Sequence, residues 1–209
     1  MKLYGMGPTR SLRARWALQE LDADFEFVPV DLMAGENRRP DFLRLNPAGK
    51  LPVLVDGDLV LTESAAIVMY LADKYRDKAL MPASLEDRAQ AYRWSLFAVT
   101  ELEQPLWRIA RHSFVYPEEK RIPADIPLAK EEFLSMAAIL DRHLDGRQFI
   151  VGDTISFADC VTAYVLDWGD RNGLVDGFSN LKAYLERMYA RPKAPQRIGE
   201  ALANLSNKA

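Results

Sequence analysis

Strand-forming sequence is confined to the first third of this chain. Up to about residue 63, short alternating or β-rich runs are interleaved with helical spacing, and from about residue 86 the strand signals almost vanish. Such a division specifies a small α/β domain followed by an all-helical one. Residues 2–4 read as a short strand. Residues 10–22 read as a helix with Leu12, Trp16 and Leu21 near helical spacing and Arg13, Arg15, Gln19 and Glu20 between them. The run "FEFVPVDL", 25–32, is rich in β formers, and Pro29 confines it to an edge or a bulge. A short helical or irregular stretch at 38–47 is stopped by Pro47. Residues 50–63 form a hairpin around Asp56-Gly57, whose glycine supplies the positive φ of a tight turn. A helix over 63–75 carries Ala66, Ile67, Tyr70, Leu71 and Tyr75 on one side. The order is βαβαββα.

Beyond a proline-containing linker, Ser84 is an N-cap with Asp87 three residues on. Helices are expected at about 85–115, 126–145, 156–170 and 179–190, with no internal repeat or low-complexity segment. A chain of 209 residues buries roughly 70% of its unfolded surface, so it needs no covalent staple. The composition, 49% apolar and 27% charged, excludes a disordered or fibrous chain. With 27 basic and 30 acidic residues well mixed, net charge −3, there is no footprint for nucleic acid or an anionic membrane. Cys160 is the single cysteine, which excludes an internal disulfide and any CxxC pair. No signal-like segment opens the chain and no apolar run approaches the ~20 residues of a membrane helix, so the expected compartment is the cytoplasm. The two histidines, His112 and His143, form no cluster of metal-ligand spacing, and no metal is expected. His112 is a candidate to line a cleft, and His143 reads as helix surface.

Three stretches of the first domain can carry chemistry. In "GPTRSLR", Thr9, Arg10 and Ser11 stand where a helix begins. A helix start presents unpaired N–H groups and the positive end of the dipole, which favours an anion. A hydroxyl there can hold a thiolate ionised, as helix starts do for cysteines; equally, it can simply cap the helix. In "NPAGKLPVL", Pro52 suits a strand start. If the bond before it is cis, the Val53 backbone turns toward the site and can pair with a peptide-like ligand as an added strand would. Lys50 beside it can reach a carboxylate or lie solvated on the surface. In "LTESAAI", Ser64 can take a carboxylate and Glu63 an ammonium, or Ser64 or Thr62 can cap the following helix.

Together, "KLYGMGPTRSLR", "NPAGKLPVLVDGDLVLTESAAIVMYL" and "FIVGDTISFADC" resemble the cytosolic glutathione transferase superfamily, bacterial type, over essentially the whole chain. The resemblance implies a thioredoxin-like glutathione-binding domain over residues 1–78. It also implies a helical-bundle domain over 85–209, carrying the acceptor-substrate side. It further implies a cis peptide before Pro52, with Val53 pairing with the cysteinyl backbone of glutathione and Leu51 and Pro52 among the glutathione-binding residues. Glu63 and Ser64 would lie at its γ-glutamyl end and Lys50 near its glycyl carboxylate. Ser156 and Asp159 form an S-x-x-D capping box with Ile155 as staple, and are read as structural.

The match departs from the family at the activating residue. Tyr4 lies in the strand, too early for the tyrosine type, and Arg10 stands where a cysteine type carries its Cys. Cys160 falls in the helical domain and reads as core. That leaves Thr9 and Ser11; the Pro8-Thr9 pair resembles the threonine-type bacterial proteins, which implies Thr9 first and Ser11 second as catalytic residues, with Thr9, Arg10 and Ser11 all contacting glutathione. The acceptor side is assigned to Met6, Trp107, Arg111 and Phe114, with Trp168 a further candidate. The implied activity is transfer of glutathione, as thiolate, to a small hydrophobic electrophile by a homodimer. The alternatives are a glutathione-dependent disulfide or peroxide reductase and a non-catalytic binding or scaffold protein.

Overall fold

The computed structural model describes residues 1–78 and 80–206. The chain forms two compact units: Met1–Met81 together with the residues from Tyr189 onward, and Pro82–Met188.

The first unit is built on a four-stranded sheet ordered β2-β1-β3-β4, with β1 at Lys2–Gly5, β2 at Glu26–Pro29, β3 at Val53–Asp56 and β4 at Leu59–Leu61. Strand β1 runs parallel to β2 (Leu3↔Phe27) and antiparallel to β3 (Leu3↔Leu54). Pro29 ends β2 on the sheet's edge, where a missing N–H leaves no ladder bond unmade. The hairpin turn is Gly57-Asp58 rather than Asp56-Gly57, because Asp56 still pairs with Leu59. Gly57 sits at φ +60°, the conformation a two-residue turn of this kind demands.

Three helices belong to this part of the chain: α1 (Ser11–Glu20), α2 (Pro40–Leu45) and α3 (Ser64–Lys74). A short 3-10 turn at Glu36–Arg38 precedes α2. The buried face of α3 is Ser64, Ile67, Val68, Leu71 and Ala72, so the face expected from the sequence is right at Ile67 and Leu71 but rotated toward Val68 and away from Tyr70. On α1, Leu12 and Trp16 are buried as expected, but so is Arg13, which the spacing had grouped with the polar residues.

Residues from Tyr189 onward group with this unit, although the sequence reading assigned them to the helical domain. Arg191 donates twice to Glu20, at 2.8 Å each, and Trp16 stacks on Tyr189 with ring centroids 5.1 Å apart. Burial pushes the Glu20 carboxyl up, but hydrogen bonds from Arg191 and Trp16 and the charges of Arg191 and Lys193 outweigh it and hold the pKa below its ordinary value. A last helix, at Ile198–Ser206, has no counterpart in the sequence reading.

In the second unit, residues 85–115 are continuously helical as expected. They divide into α4 (Leu85–Phe97), a π-helical turn (Ala98–Leu102), α5 (Glu103–Ala110) and a second π turn (Arg111–Val115). The helices α6 (Asp125–His143), α7 (Phe157–Arg171) and α8 (Ser179–Tyr189) follow near their predicted bounds. Ser84 caps α4 by accepting from the Asp87 N–H at 2.9 Å. Helices α6 and α7 approach closely at Gly169, where a Cβ would lie 2.5 Å from the Phe133 ring. Among the described residues no helix is long and apolar enough to cross a membrane.

Candidate active site

The loop from β1 into α1 is held by its own polar groups. The Thr9 N–H donates to the Met6 carbonyl at 3.0 Å, and the Thr9 hydroxyl hydrogen-bonds the same carbonyl. The two hydroxyls of Thr9 and Ser11 are 2.7 Å apart, the Ser11 N–H points at Thr9 Oγ1 at 3.3 Å, and the Met6 N–H points at Ser11 Oγ at 3.3 Å. Donor and acceptor roles follow from elementary constraints. A carbonyl only accepts, so the Thr9 proton goes to Met6, and the hydroxyl-hydroxyl bond must be donated by Ser11. Ser11 is 1% exposed whereas Thr9 is half-buried. Gly5 makes room for this arrangement: a Cβ there would fall 2.8 Å from both Cβ and Oγ of Ser11.

Thr9 Oγ1 thus accepts from the first N–H of α1, and the N–H groups of Leu12 and Arg13 go to the Thr9 and Arg10 carbonyls at 3.0 and 3.2 Å. The N-cap is Arg10, in helical conformation and with no side-chain cap hydrogen bond. The Gly7–Pro8 and Leu51–Pro52 bonds are both cis, the second as the resemblance implied.

Tyr4 lies in β1 opposite Val53, and its ring packs edge-on to Phe42 at 6.4 Å, within a cluster of Val30, Phe42, Val53, Leu45 and Leu51. Val53 precedes by one residue the point at which β4 joins β3 (Leu54↔Leu61), so β3 projects beyond its β4 partner at this end. Lys50 is exposed. Its carbonyl accepts from Asn46 Nδ2 at 2.8 Å, while Asn46 Oδ1 accepts from the Ala48 N–H at 3.1 Å. Asn46 thus braces the loop carrying Lys50, a role the sequence reading missed. An Asn two residues before a turn amide is the signal that could have found it.

Helix α3 starts at Ser64, with Glu63 as its N-cap at φ +64°, ψ +109° and no side-chain cap. A non-glycine residue there is strained by about 1–3 kcal/mol, and such strain gathers at ligand sites. Thr62 and Ser64 are therefore not the caps that their residue types suggest. Ser64 is 5% exposed, and its Oγ accepts from Arg13 Nη1 at 3.1 Å. Arg13 is a second residue the sequence reading missed. It lies three and four residues before Trp16 and Ala17, both buried, which is the spacing that would have put it on the inner face.

The acceptor-side residues divide between the two units: Met6 lies in the first, and Trp107, Arg111, Phe114 and Trp168 in the second. Trp107 and Trp168 come together edge-to-face at 6.4 Å. Arg111 reaches the Tyr116 hydroxyl at 3.3 Å, and Phe114, in the second π turn, is 70% exposed.

His112 accepts from the Ile122 N–H at 3.2 Å and lies 3.6 Å from Asp125. His143 is not helix surface. Its ring stacks on Trp94 at 4.1 Å and its Nε2–H donates to the Ile150 carbonyl at 2.8 Å, and burial pushes its pKa down. At α7, Asp159 and Ser156 form the reciprocal capping box. Asp159, fully buried, accepts from the N–H groups of Ile150 and Ser156 and the hydroxyls of Ser156 and Tyr184, all within 3.0 Å. Cys160, 0% exposed, is core.

A thioredoxin-like sheet unit with two hydroxyl-bearing helix starts, in a chain that continues into an all-helical unit, defines the glutathione-transferase class of architecture. The comparisons agree. The glutathione S-transferase N-terminal domain family matches residues 1–73 and the C-terminal domain family residues 104–192. Glutathione S-transferase F9 of Arabidopsis thaliana is 32% identical over 92% of this chain and 93% of its own. The crystal structure of glutathione transferase F7 from Populus trichocarpa superposes with a TM-score of 0.81 at 30% identity, covering 96% of this chain and 98% of that one. Glutathione transferase URE2P8 from Phanerochaete chrysosporium, solved with oxidized glutathione, superposes with a TM-score of 0.84 at 27% identity, covering 98% and 96%. The chain belongs to the glutathione S-transferase family and is an enzyme of it.

Proposed function

We propose that the first unit binds glutathione and holds its thiol as thiolate for attack on a small hydrophobic electrophile, with Thr9 as the residue that meets the sulfur. The observation that carries this reading is the chain of hydroxyls before α1. The Met6 carbonyl accepts from both the N–H and the hydroxyl of Thr9. Thr9 can therefore swing its proton to an arriving thiolate while the carbonyl keeps its backbone partner. Ser11 continues to donate into Thr9 Oγ1, which polarises the Thr9 O–H toward the sulfur. Ser11 then acts behind Thr9 rather than on the sulfur, in keeping with its burial.

The dipole of α1, with Arg10 at its start, favours the same anion. Val53 would pair with the cysteinyl backbone along the projecting end of β3. Ser64, at the start of α3, would take the γ-glutamyl carboxylate, Glu63 the ammonium and Lys50 the glycyl carboxylate. The thiol proton leaves to solvent, the sulfur forms a bond to the electrophilic carbon, and the leaving group departs with the bonding pair. Lowered thiol pKa and positioning supply the rate. Met6, Trp107, Arg111 and Phe114 are proposed for the electrophile side, in a cytoplasmic homodimer of the kind the family resemblance implies.

A reductase that works through its own thiol is disfavoured, since Cys160 is the single cysteine and is fully buried. Glutathione-affinity retention followed by conjugation of a chromogenic aryl halide tests the proposal. Retention and turnover are expected. Retention with mixed-disulfide reduction but no conjugation would shift the reading to the reductase, and no retention would shift it to a scaffold.

A further inference from the structure

Arg111 opens the second π turn, one helical turn after Trp107 and on the same face. The wide turn closes with the Tyr116 N–H donating to the Arg111 carbonyl at 3.0 Å, which brings residue 116 back over residue 111. Arg111 Nη1 then donates to the Tyr116 hydroxyl at 3.3 Å, with the guanidinium carbon 5.8 Å from the centre of the Tyr116 ring. Arg121 fixes the tyrosine from its backbone side, Nε donating to the Tyr116 carbonyl at 2.8 Å. Next to this pair, Trp107 and Trp168, both half-buried, meet edge to face.

Only one of the three guanidinium nitrogens is engaged. Arg111 Nε is shielded from solvent and has no acceptor, and among the described residues Nη2 has none either. These two nitrogens form one edge of the guanidinium, a pair of parallel donors that matches the two oxygens of a carboxylate. The acidic groups nearby are committed elsewhere. Arg108 donates to both oxygens of Asp125 and to Glu132, and His112 lies 3.6 Å from Asp125. Hydrogen bonds from Arg108 are the main reason that the Asp125 carboxyl sits below its ordinary value, and the charge of Arg111 adds a smaller part. A half-buried cation with an unmet donor edge and no carboxylate of its own favours a bound anion.

We propose that Arg111 selects electrophiles that carry a carboxylate on an aromatic ring. Nε and Nη2 take the carboxylate, and Trp107 and Trp168 take the ring. Tyr116 is a positioning residue, because its hydroxyl occupies Nη1 and leaves the opposite edge to the ligand. This rests on the reading of Trp107 and Arg111 as electrophile-side residues and narrows that reading to an acidic aryl class.

The probes are 4-chloro-3-nitrobenzoate and 4-chloro-3-nitrobenzamide, nearly equal in shape and different in charge. With either, the glutathione sulfur bonds to the ring carbon bearing chlorine, and chloride leaves with the bonding pair. The readout is kcat/KM for each, divided by its uncatalysed rate with glutathione. Calorimetry with the unreactive 3-nitrobenzoate and 3-nitrobenzamide, without glutathione, gives a second readout. Wild type is expected to favour the carboxylate about tenfold or more in both. Arg111→Gln is expected to bring both ratios to within about twofold of one, and Tyr116→Phe to lower them about threefold. Arg111→Lys keeps the charge without the fork and is expected to retain less than about a third of the preference. No preference in wild type, or an equal loss for both members of a pair in Arg111→Gln, overturns the proposal. Should Arg111→Gln not fold, Arg111→Lys decides alone, and a fully retained preference overturns the forked contact. An unchanged ratio in Tyr116→Phe overturns its positioning role. A wild type that conjugates neither halide yet prefers 3-nitrobenzoate keeps the Arg111 anion site and overturns the thiolate reading instead.

Discussion

Helix α7 and helices α1 and α3 begin with the same kinds of residue and use them in opposite ways. At α7, Ser156 and Asp159 turn inward on their own backbone, and every acceptor direction of Asp159 is filled from within the second unit. At α1, the hydroxyls of Thr9 and Ser11 are bonded to each other and to Met6, and the N-cap residue supplies no side-chain cap. At α3, Ser64 accepts from Arg13 and again no side chain caps the helix. A serine at a helix start is therefore a cap only when its partner is the helix itself. Where the partner lies elsewhere, as for Ser64 at α3, the hydroxyl does not cap its own helix, and the helix dipole still favours an anion there.

Substitutions at these sites should separate stability from activity. The largest expected effect is at the structural start. Asp159→Ala strands four buried donors and should cost about 3–5 kcal/mol of unfolding free energy in a urea titration. A loss below about 1 kcal/mol would break the contrast between the two kinds of helix start. Next is Thr9→Ala, expected to lower kcat/KM for aryl-halide conjugation about 100-fold and to raise the bound thiol's pKa, followed by thiolate ultraviolet absorbance. Its stability should change by less than about 1 kcal/mol. Ser11→Ala should act in the same direction but less strongly, and a larger pKa rise for Ser11→Ala than for Thr9→Ala would reverse their assigned roles.

Ser84→Ala removes an ordinary cap from α4 and should cost about 1 kcal/mol with kcat/KM unchanged. The smallest effect concerns His143, whose Nε2–H holds the Ile150 carbonyl while the Ile150 N–H serves Asp159. Burial lowers its folded pKa below the unfolded value of about 6.5. The unfolded chain then binds more protons as pH falls below about 6.5, so stability present at pH 7.5 declines toward pH 5.5. Urea midpoints at the two pH values should differ less in His143→Gln than in wild type.

Much of the fold was legible because its signals are local. Strand alternation before residue 63 and helical spacing after residue 86 need only near neighbours, as do the Ser84 and Ser156 caps, whose partners lie three residues away. The stretches around Thr9, Lys50–Val53 and Glu63–Ser64 were also visible as candidates, because helix starts and a Pro-led strand leave marks in the chain. Three features were not legible. The return of the segment after Tyr189 to the first unit depends on Glu20 meeting Arg191, 171 residues away. The packing of His143 against Trp94 could not be told from an exposed helix position by spacing alone.

The third is the burial of Arg13, and it marks the division most clearly. The sequence by itself determined that hydroxyls and an arginine stand near two helix starts of a small α/β unit. Only the tertiary structure decided which way those hydroxyls point. A hydroxyl both donates and accepts, and its sense is set by whichever donor-only or acceptor-only group packs against it. For Ser64 that group comes from α1, and for Thr9 it is the carbonyl of Met6, brought into reach by the turn of the loop.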